Sequence, residues 1–169
     1  MAEPTSYETL VERIRSGDRQ SVIRAAHQLG DSGDRRAVPI LMSLLTATTD
    51  GGIRNAAAVG LRELHDQRAL PVLTALIKHP KTEGNRGTLV HALQGLDCRT
   101  ILPDLVDLVI QGNWEVSREA VMAIESTTQD IPPAVLDECM RKIREALPHA
   151  SGDTAVMLSD LKDLFEGAE

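Results

Sequence analysis

A chain of 169 residues is long enough to bury a sizeable core, and it fits one domain or one continuous repeat array. Only one Phe, one Tyr and one Trp are present, which disfavours sandwiches and barrels and favours helices with an aliphatic core. The formal net charge of −7 excludes a general electrostatic attraction to nucleic acid or to an anionic membrane surface.

The charge is divided unevenly along the chain. Residues 1–80 carry 10 Lys/Arg and 9 Asp/Glu, whereas residues 81–169 carry 8 and 16. An acidic half of this kind either attracts a basic partner or forms a solvated surface that keeps the protein in solution. The sequence leaves both readings open and favours the solvated surface.

Two residue types recur with nearly the same period of about 32 residues, which indicates an internal repeat. The prolines are Pro39, Pro71 and Pro103, and the arginines are Arg24, Arg54, Arg86 and Arg118. Each arginine lies in a frame of apolar residues at helical spacing, and a similar frame around a proline follows it. Gly30 and Gly33 mark the turn of the first repeat. One repeat is therefore predicted to be a helix, a turn and a second helix.

The predicted elements run from a capping helix over 6–16 to a capping helix over 153–166, with four helical pairs between them. The repeats cover approximately 17–47, 50–79, 83–111 and 113–147. The paired helices are predicted at 19–30 and 35–47, 52–64 and 67–79, 85–96 and 99–111, and 114–127 and 132–146. This order predicts an all-α, right-handed α-solenoid of about four hairpins that forms a single domain over residues 1–169.

Polar residues are placed where the predicted helices begin. Asp18, Asp50 and Asn113 precede first helices, and Asp66 and Asp97 precede second helices. Carboxylate and amide oxygens at such positions accept hydrogen bonds from the free N–H groups of a first helical turn. The repeating prolines fall near the starts of second helices, where a missing N–H costs little.

The pattern apolar-Arg-x-Ala-Ala followed by Asp-x-Arg-Ala-Leu-Pro-x-Leu resembles the HEAT-like repeats of short bacterial, phycobilisome-lyase-type proteins. The resemblance covers about residues 16–147 and is strongest in VIRAAHQLGDSGDRRAVPILMSLL and IRNAAAVGLRELHDQRALPVLTALI. It fades in the third repeat, where Gly87 and Thr88 replace the Ala-Ala pair. The family implies an architecture more than one function, because such arrays include adaptors, lyase subunits and regulators.

Arg24, Arg54, Arg86 and Arg118 form a predicted structural ladder. Stacking would place them in a row, where they would either clamp a chain of phosphates or carboxylates or pair with turn carboxylates. Asp34, Asp66 and Asp97 are the predicted partners in neighbouring turns. The resemblance favours the second, structural role.

Second helices of α-solenoids usually line the concave face, which we expect to bind a partner. A core stripe is predicted at Leu41, Leu44, Leu45, Leu73, Leu76, Ile77, Leu105, Leu108 and Val109. The positions beside that stripe are Ile40, Ser43, Val72, Ala75, Asp104 and Asp107. An apolar strip that ends in carboxylates suits a basic or amphipathic helix, although a simply solvated face is an equal alternative.

Two single residues are further candidates. Trp114 opens the fourth repeat, where an indole either forms a binding hot spot or packs against the preceding repeat. Cys98 lies near a helix start, where the helix dipole lowers a thiol pKa. The alternative role of Cys98, as a small residue in the turn between helices, is favoured.

No catalytic or metal-binding motif accompanies these features. The five histidines and two cysteines lack metal-ligand spacing, and no phosphate-binding loop or nucleophile motif occurs. We therefore expect no enzyme activity, cofactor or metal. The N-terminus lacks the apolar stretch of a signal peptide, and no apolar run approaches a membrane span. These negatives predict a cytoplasmic protein without a membrane partner.

The predicted function is a non-enzymatic scaffold or adaptor that binds another protein. One alternative is a bilin-lyase-like subunit or chaperone, which the resemblance implies. Another is a nucleic-acid-binding helical repeat, which the acidic composition and the scarcity of aromatic residues disfavour.

Overall fold

A computed structural model describes residues 6–167, and all regular structure within that range is helical. The α-helices in this range are α1 (Tyr7–Arg15), α2 (Arg19–Asp31), α3 (Ala37–Ala47), α4 (Gly51–Leu64), α5 (Ala69–Lys78), α6 (Gly87–His91), α7 (Leu102–Gln111), α8 (Trp114–Glu125), α9 (Pro133–Ala146) and α10 (Gly152–Glu166). Short 3-10 turns lie at Pro80–Thr82, Arg99–Ile101 and Leu147–His149. The helical class is thus confirmed, whereas the handedness and the number of hairpins stay predictions.

The contacts divide the chain into two compact units, Met1–Ala92 and Leu93–Glu169. We call them the N-terminal and C-terminal units. In the N-terminal unit α1 packs on α2, and the first helices α2, α4 and α6 pack on one another in sequence. The second helices α3 and α5 pack side by side, and α3 also contacts α4. In the C-terminal unit α7 contacts α8 and α9, and α10 packs against all three.

The predicted caps of the first helices are confirmed. Asp18 accepts a hydrogen bond from the Ser21 N–H at 2.8 Å, and Asp50 accepts one from Ile53 at 2.9 Å. Asn113 Oδ1 accepts one from the Val116 N–H at 3.0 Å. Each bond satisfies a donor that the first helical turn leaves free, and this fixes where α2, α4 and α8 begin.

The second helices begin as the proline spacing predicts. Pro39 and Pro71 are the third residues of α3 and α5, and Pro103 is the second residue of α7. At these positions a helical N–H has no intrahelical partner, so proline removes no hydrogen bond. The core stripe is confirmed except at Leu44 and Leu108, which are half-buried.

Glycine brings α2 and α4 unusually close together. A Cβ atom added to Gly30 would lie 2.6 Å from the Gly60 Cα, and one added to Gly60 would lie 2.7 Å from the Ala26 carbonyl oxygen. Gly30 therefore lies inside α2 and forms this helix contact, which corrects its prediction as a turn residue. The turn that follows is formed by Gly33, whose φ of 68° favours glycine.

The third repeat departs most from prediction. A helix was expected over 85–96, but α6 spans only Gly87–His91 and is followed by turns. Glycine and β-branched residues are poor helix formers, and Gly84, Gly87, Thr88 and Gly95 are concentrated here. Gly95 has a φ of 84°, which continues no α-helix. Apolar spacing alone predicted a longer helix than these residues form.

Candidate protein-binding surfaces

The outer surface of α3 and α5 is uncharged along most of its length. Ser43 and Ala75 are exposed, and Ile40 and Val72 are half-buried. α3 contains no charged residue, and the only one in α5 is Lys78 at its last position. Because α3 and α5 pack side by side, these four side chains belong to one small, apolar surface. We call it the second-helix surface.

One of the two carboxylates of the predicted acidic continuation, Asp107, is paired with a lysine of the C-terminal unit. Asp104 and Asp107 are both half-buried. Lys142 Nζ donates to both carboxylate oxygens of Asp107, at 2.7 and 2.6 Å, and so joins α7 to α9. Asp107 therefore forms an ion pair within the unit, and its role in binding a partner stays a prediction.

Three further charged residues of α9 are paired with one another. Arg141 donates to Glu138 at 2.7 Å and to Glu145 at 2.7 Å, one helical turn away on either side. The hydrogen bond from Arg141 lowers the pKa of Glu138, which keeps the carboxylate ionised. These i,i+3 and i,i+4 pairs stabilise α9.

The four ladder arginines do not occupy equivalent positions. Arg54 lies four residues after the N-cap of its helix, Arg118 lies five residues after its N-cap, and Arg24 lies six residues after its N-cap. Arg86 differs from all three, because it is itself the residue that precedes α6. Arg54 is buried, Arg86 is half-buried, and Arg24 and Arg118 are exposed. The spacing of 30 residues between Arg24 and Arg54 already departs from the period. A uniform row of guanidinium groups does not follow from these placements.

The turn carboxylates bind a different set of arginines from the predicted one. Each binds the arginine two residues later in its own turn, and these pairs are Asp34 with Arg36, Asp66 with Arg68, and Asp97 with Arg99. In each turn the same carboxylate also accepts the backbone N–H of that arginine. We call this arrangement the Asp-x-Arg fork, and it holds the turn just before a second helix.

The forks lower carboxyl pKa values. The hydrogen bond from Arg68 lowers the pKa of Asp66 to about 2, and that from Arg99 lowers the pKa of Asp97 to about 2. The Asp66 side chain is only 8% exposed, so this fork is partly protected from solvent. Both residues therefore have a structural role in the turns.

The turn after α8 lacks a fork and borders an open cavity. The cavity has a volume of about 570 Å³ and is lined by residues 95–97, 99 and 125–130. Its walls carry hydroxyl groups and the carboxylates of Asp97, Glu125 and Asp130, with Arg99 as the only cation. The Arg99 guanidinium is already bound to Asp97 at 2.6 Å. The cavity is therefore polar and acidic.

The cysteines are not suited to nucleophilic chemistry. Cys98 and Cys139 are both buried, and burial raises the pKa of each thiol to about 12. Cys98 Sγ donates a hydrogen bond to the Leu93 carbonyl at 3.6 Å. Protonated, inaccessible thiols are inert, so the structure supports the packing role for Cys98.

Trp114 lies on the surface of α8, a first helix of the C-terminal unit. It is 60% exposed and opens α8, with the Arg118 guanidinium 5.7 Å from the centre of its ring. Met122, one helical turn beyond Arg118, is also exposed. The sequence analysis predicted Trp114 as a binding residue and Arg118 as a ladder residue, whereas the spacing of four residues that relates them to Met122 was not used.

Within residues 6–167 no group of three or more His, Cys, Asp or Glu side chains is arranged to hold a metal ion. None of the helices in the same range has both the length and the apolar character needed to cross a bilayer.

A family model described as HEAT repeats matches residues 7–94, just over half of the chain. The match covers α1 to α6 and ends before α7. Comparison with curated proteins found no match.

Proposed function

Because the chain belongs to the HEAT repeat family, we propose that it is a non-enzymatic scaffold that binds another protein through the second-helix surface. HEAT repeats commonly mediate protein–protein interaction. One observation supports this choice of surface: the outward positions of two adjacent helices are small or apolar and carry no charge. Cores of protein interfaces are similarly poor in charged residues.

The partner is expected to present apolar side chains to this surface. Ile40 and Val72 leave part of their aliphatic surface in water, and Ser43 and Ala75 are small enough to let a partner backbone approach. An amphipathic helix meets both requirements, since its apolar stripe fits beside α3 and α5. The predicted preference for a basic partner is not part of this proposal, because Asp107 is bound to Lys142.

The proposal is tested by introducing bulk and charge on the surface. Ser43→Arg combined with Ala75→Arg places two guanidinium groups where the partner would pack. The matched control is Gln20→Arg combined with Asn85→Arg, which adds the same charge at exposed positions outside α3 and α5. Each protein is immobilised, and the proteins it captures from host extract are identified by mass spectrometry.

We expect one or more proteins to be retained by the native chain and by the control, and lost from the Ser43/Ala75 variant. Equal capture by both variants would place the binding surface elsewhere. Circular dichroism of both variants verifies that the fold is unchanged.

A bilin-lyase-like activity receives less support. Such an enzyme requires a cleft with a reactive or acid–base group. The two thiols are buried, and the cavity near Glu125 is polar and open. An absorbance shift on mixing the protein with a bilin would favour this alternative over the scaffold.

Nucleic-acid binding also receives less support. The four ladder arginines differ in burial, and among the described residues one aromatic side chain, Trp114, is exposed, with Arg118 over its ring. Salt-sensitive retention of DNA on a filter would favour this alternative.

A further inference from the structure

The exposed side of α8 carries two of the three large apolar side chains that are exposed among residues 6–167. They are Trp114 and Met122, and the third, Val156, lies on α10. Arg118 lies between the two on α8, and its side chain is 49% exposed. Tryptophan, arginine and methionine are enriched at protein interfaces, so this side of α8 is a candidate contact surface.

Two opposite charges lie on the same side of α8. Arg118 and Glu125 are both exposed and are seven residues apart, so their side chains leave the helix in nearly the same direction, two turns from each other. Arg118 Nη1 donates to Glu119, which leaves its other N–H groups for a second carboxylate. Glu125 forms no ion pair within residues 6–167. We use the name α8 face for the side of the helix formed by Trp114, Arg118, Val121, Met122 and Glu125.

Two α8 helices packed antiparallel about a two-fold axis pair these charges reciprocally. Arg118 of each copy faces Glu125 of the other, so a single contact contains two ion pairs. Val121 and Met122, midway between the charges, then meet their counterparts near the axis. Glu115 lies about 60° round the helix from Arg118, at the edge of this contact. A parallel pair is disfavoured, because it sets Arg118 against Arg118.

The same register brings Trp114 of each copy to the open cavity of the other. Trp114 precedes Arg118 by four residues, so it reaches the turn that follows Glu125 in the facing copy. That turn, residues 126–130, lines the cavity of about 570 Å³. The hydroxyl and carboxylate oxygens of the cavity are acceptors, and the indole N–H is a donor. The two ends of α8 are therefore complementary to each other, and every copy carries both.

The Trp114 end of the face is held in position before any contact forms. Gln94 Nε2 donates to Glu119 Oε2 at 2.8 Å, and Glu119 Oε1 accepts from Arg118 Nη1 at 3.1 Å. Glu119 is buried, and the Arg118 guanidinium lies 5.7 Å from the centre of the Trp114 ring. This order reduces the entropy lost when the face is covered.

We propose that the α8 face is the contact between two copies of this chain in an antiparallel, two-fold symmetric dimer. Arg118 of each copy binds Glu125 of the other, and Trp114 of each copy covers the other's cavity. The contact is small and the net charge of −7 opposes association, so the dimer is weak and reversible. It uses no residue of α3 or α5, so this proposal and the scaffold proposal can fail independently.

The test measures dimerisation of the full chain by sedimentation equilibrium, from about 10 µM to about 1 mM, the range in which a weak contact is populated. Arg118→Glu and Glu125→Arg each set like charges against each other in both pairs. Each should raise the dissociation constant of the dimer about tenfold. Arg118→Glu combined with Glu125→Arg restores opposite charges in both pairs, and we expect it to recover the native dissociation constant.

Arg144→Glu is the matched control, because it makes the same charge change at an exposed position of α9 and should leave dimerisation unchanged. Circular dichroism verifies that each variant keeps its helices. Trp114 is the only tryptophan, so its emission reports on the contact directly. We expect that emission to shift to the blue as the protein concentration rises, and Trp114→Ala to weaken the dimer at least about tenfold.

Three results would overturn the proposal. The first is a native chain that stays monomeric over the whole concentration range, which would leave the α8 face to a different protein or to solvent. The second is native-like dimerisation of both single-charge variants. The third is a combined variant that dimerises no more tightly than the single variants, because it would show that Arg118 and Glu125 do not face each other.

Discussion

At the scale of single residues, three of the four repeats hold the turn between their helices in the same way. The Asp-x-Arg fork occurs before α3, before α5 and before the Arg99–Ile101 turn, and it is absent before α9. Each fork joins a carboxylate to both the guanidinium and the backbone N–H of one arginine, so it holds the backbone of the turn as well as the arginine side chain. The forks differ in exposure, and this difference predicts how much each contributes to stability.

Asp66→Asn is expected to lower the free energy of unfolding by about 1 kcal/mol at neutral pH, because it removes a charge-assisted pair to an exposed arginine. The native pKa of Asp66 is about 2, below its ordinary value of 3.8. A lowered pKa stabilises the fold above pH 3.8, and that contribution is lost as the pH falls towards 2. Urea unfolding at neutral and acidic pH should therefore show the difference between the native chain and the variant shrinking as the pH falls.

The control for this prediction is Asp34→Asn, which alters the same fork where the carboxylate is more exposed. It should reduce stability less than Asp66→Asn. A difference between the Asp66 variant and the native chain that stays constant across the acidic range would show that the ion pair is not its source.

Thiol reactivity gives a second prediction at this scale. Cys98 and Cys139 are buried, and burial raises the pKa of both to about 12. The folded protein is expected to react with a thiol-specific reagent at pH 8 far more slowly than the denatured protein, in which both groups react. Rapid modification of one thiol in the folded protein, located by mass spectrometry, would contradict the buried placement of that residue.

At the scale of elements, the contact between α2 and α4 depends on two glycines. Gly30 and Gly60 let the two helix backbones approach more closely than any side chain would allow. Glycine inside a helix lowers the stability of the helix by about 0.5–1 kcal/mol relative to alanine. Its presence at both positions is therefore explained by the close packing of α2 and α4 and not by helix propensity.

Gly60→Ala should therefore destabilise the protein by about 1–3 kcal/mol, because the new Cβ atom would collide with the Ala26 carbonyl. Gly51→Ala is the matched control in the same helix, since nothing lies within 4 Å of its added Cβ. It should be neutral or stabilising. Thermal unfolding of both variants measures the difference, and equal melting temperatures would refute the close contact.

Local signals in the sequence predicted most of the helices, and long-range pairing was not predictable from them. Asp18, Asp50 and Asn113 were correctly assigned as caps, because capping depends on residues only three positions apart. The ion pair between Asp107 and Lys142 joins residues 35 positions apart, and no local pattern indicates which lysine folds against which carboxylate. The uncharged character of α3 was readable from the sequence, whereas the hydrogen bond that Gln94 donates to Glu119, 25 positions away, was not.

At the scale of the whole molecule, the helices of the repeats differ in length and the charged residues are unevenly distributed. The N-terminal unit contains 12 Lys/Arg and 10 Asp/Glu, whereas the C-terminal unit contains 6 and 15. The second-helix surface lies in the N-terminal unit and belongs to helices whose only charged residue is Lys78. The boundary between the units follows directly after α6, the shortest of the described α-helices.

The shortness of α6 predicts where the molecule opens most readily. A helix over Gly87–His91 has few internal hydrogen bonds, and the turns after it have fewer still, although Leu89, Val90 and Leu93 are buried. Native-state stability varies with such local support, so amides over 84–96 are expected to exchange with solvent at least about tenfold faster than those of α4 and α7. Hydrogen exchange followed by mass spectrometry measures this, with α4 and α7 as the reference helices of the two units. Equal protection of residues 84–96, α4 and α7 would contradict this prediction. It would mean that the buried side chains of Leu89, Val90 and Leu93 stabilise residues 84–96 as much as regular helix stabilises α4 and α7.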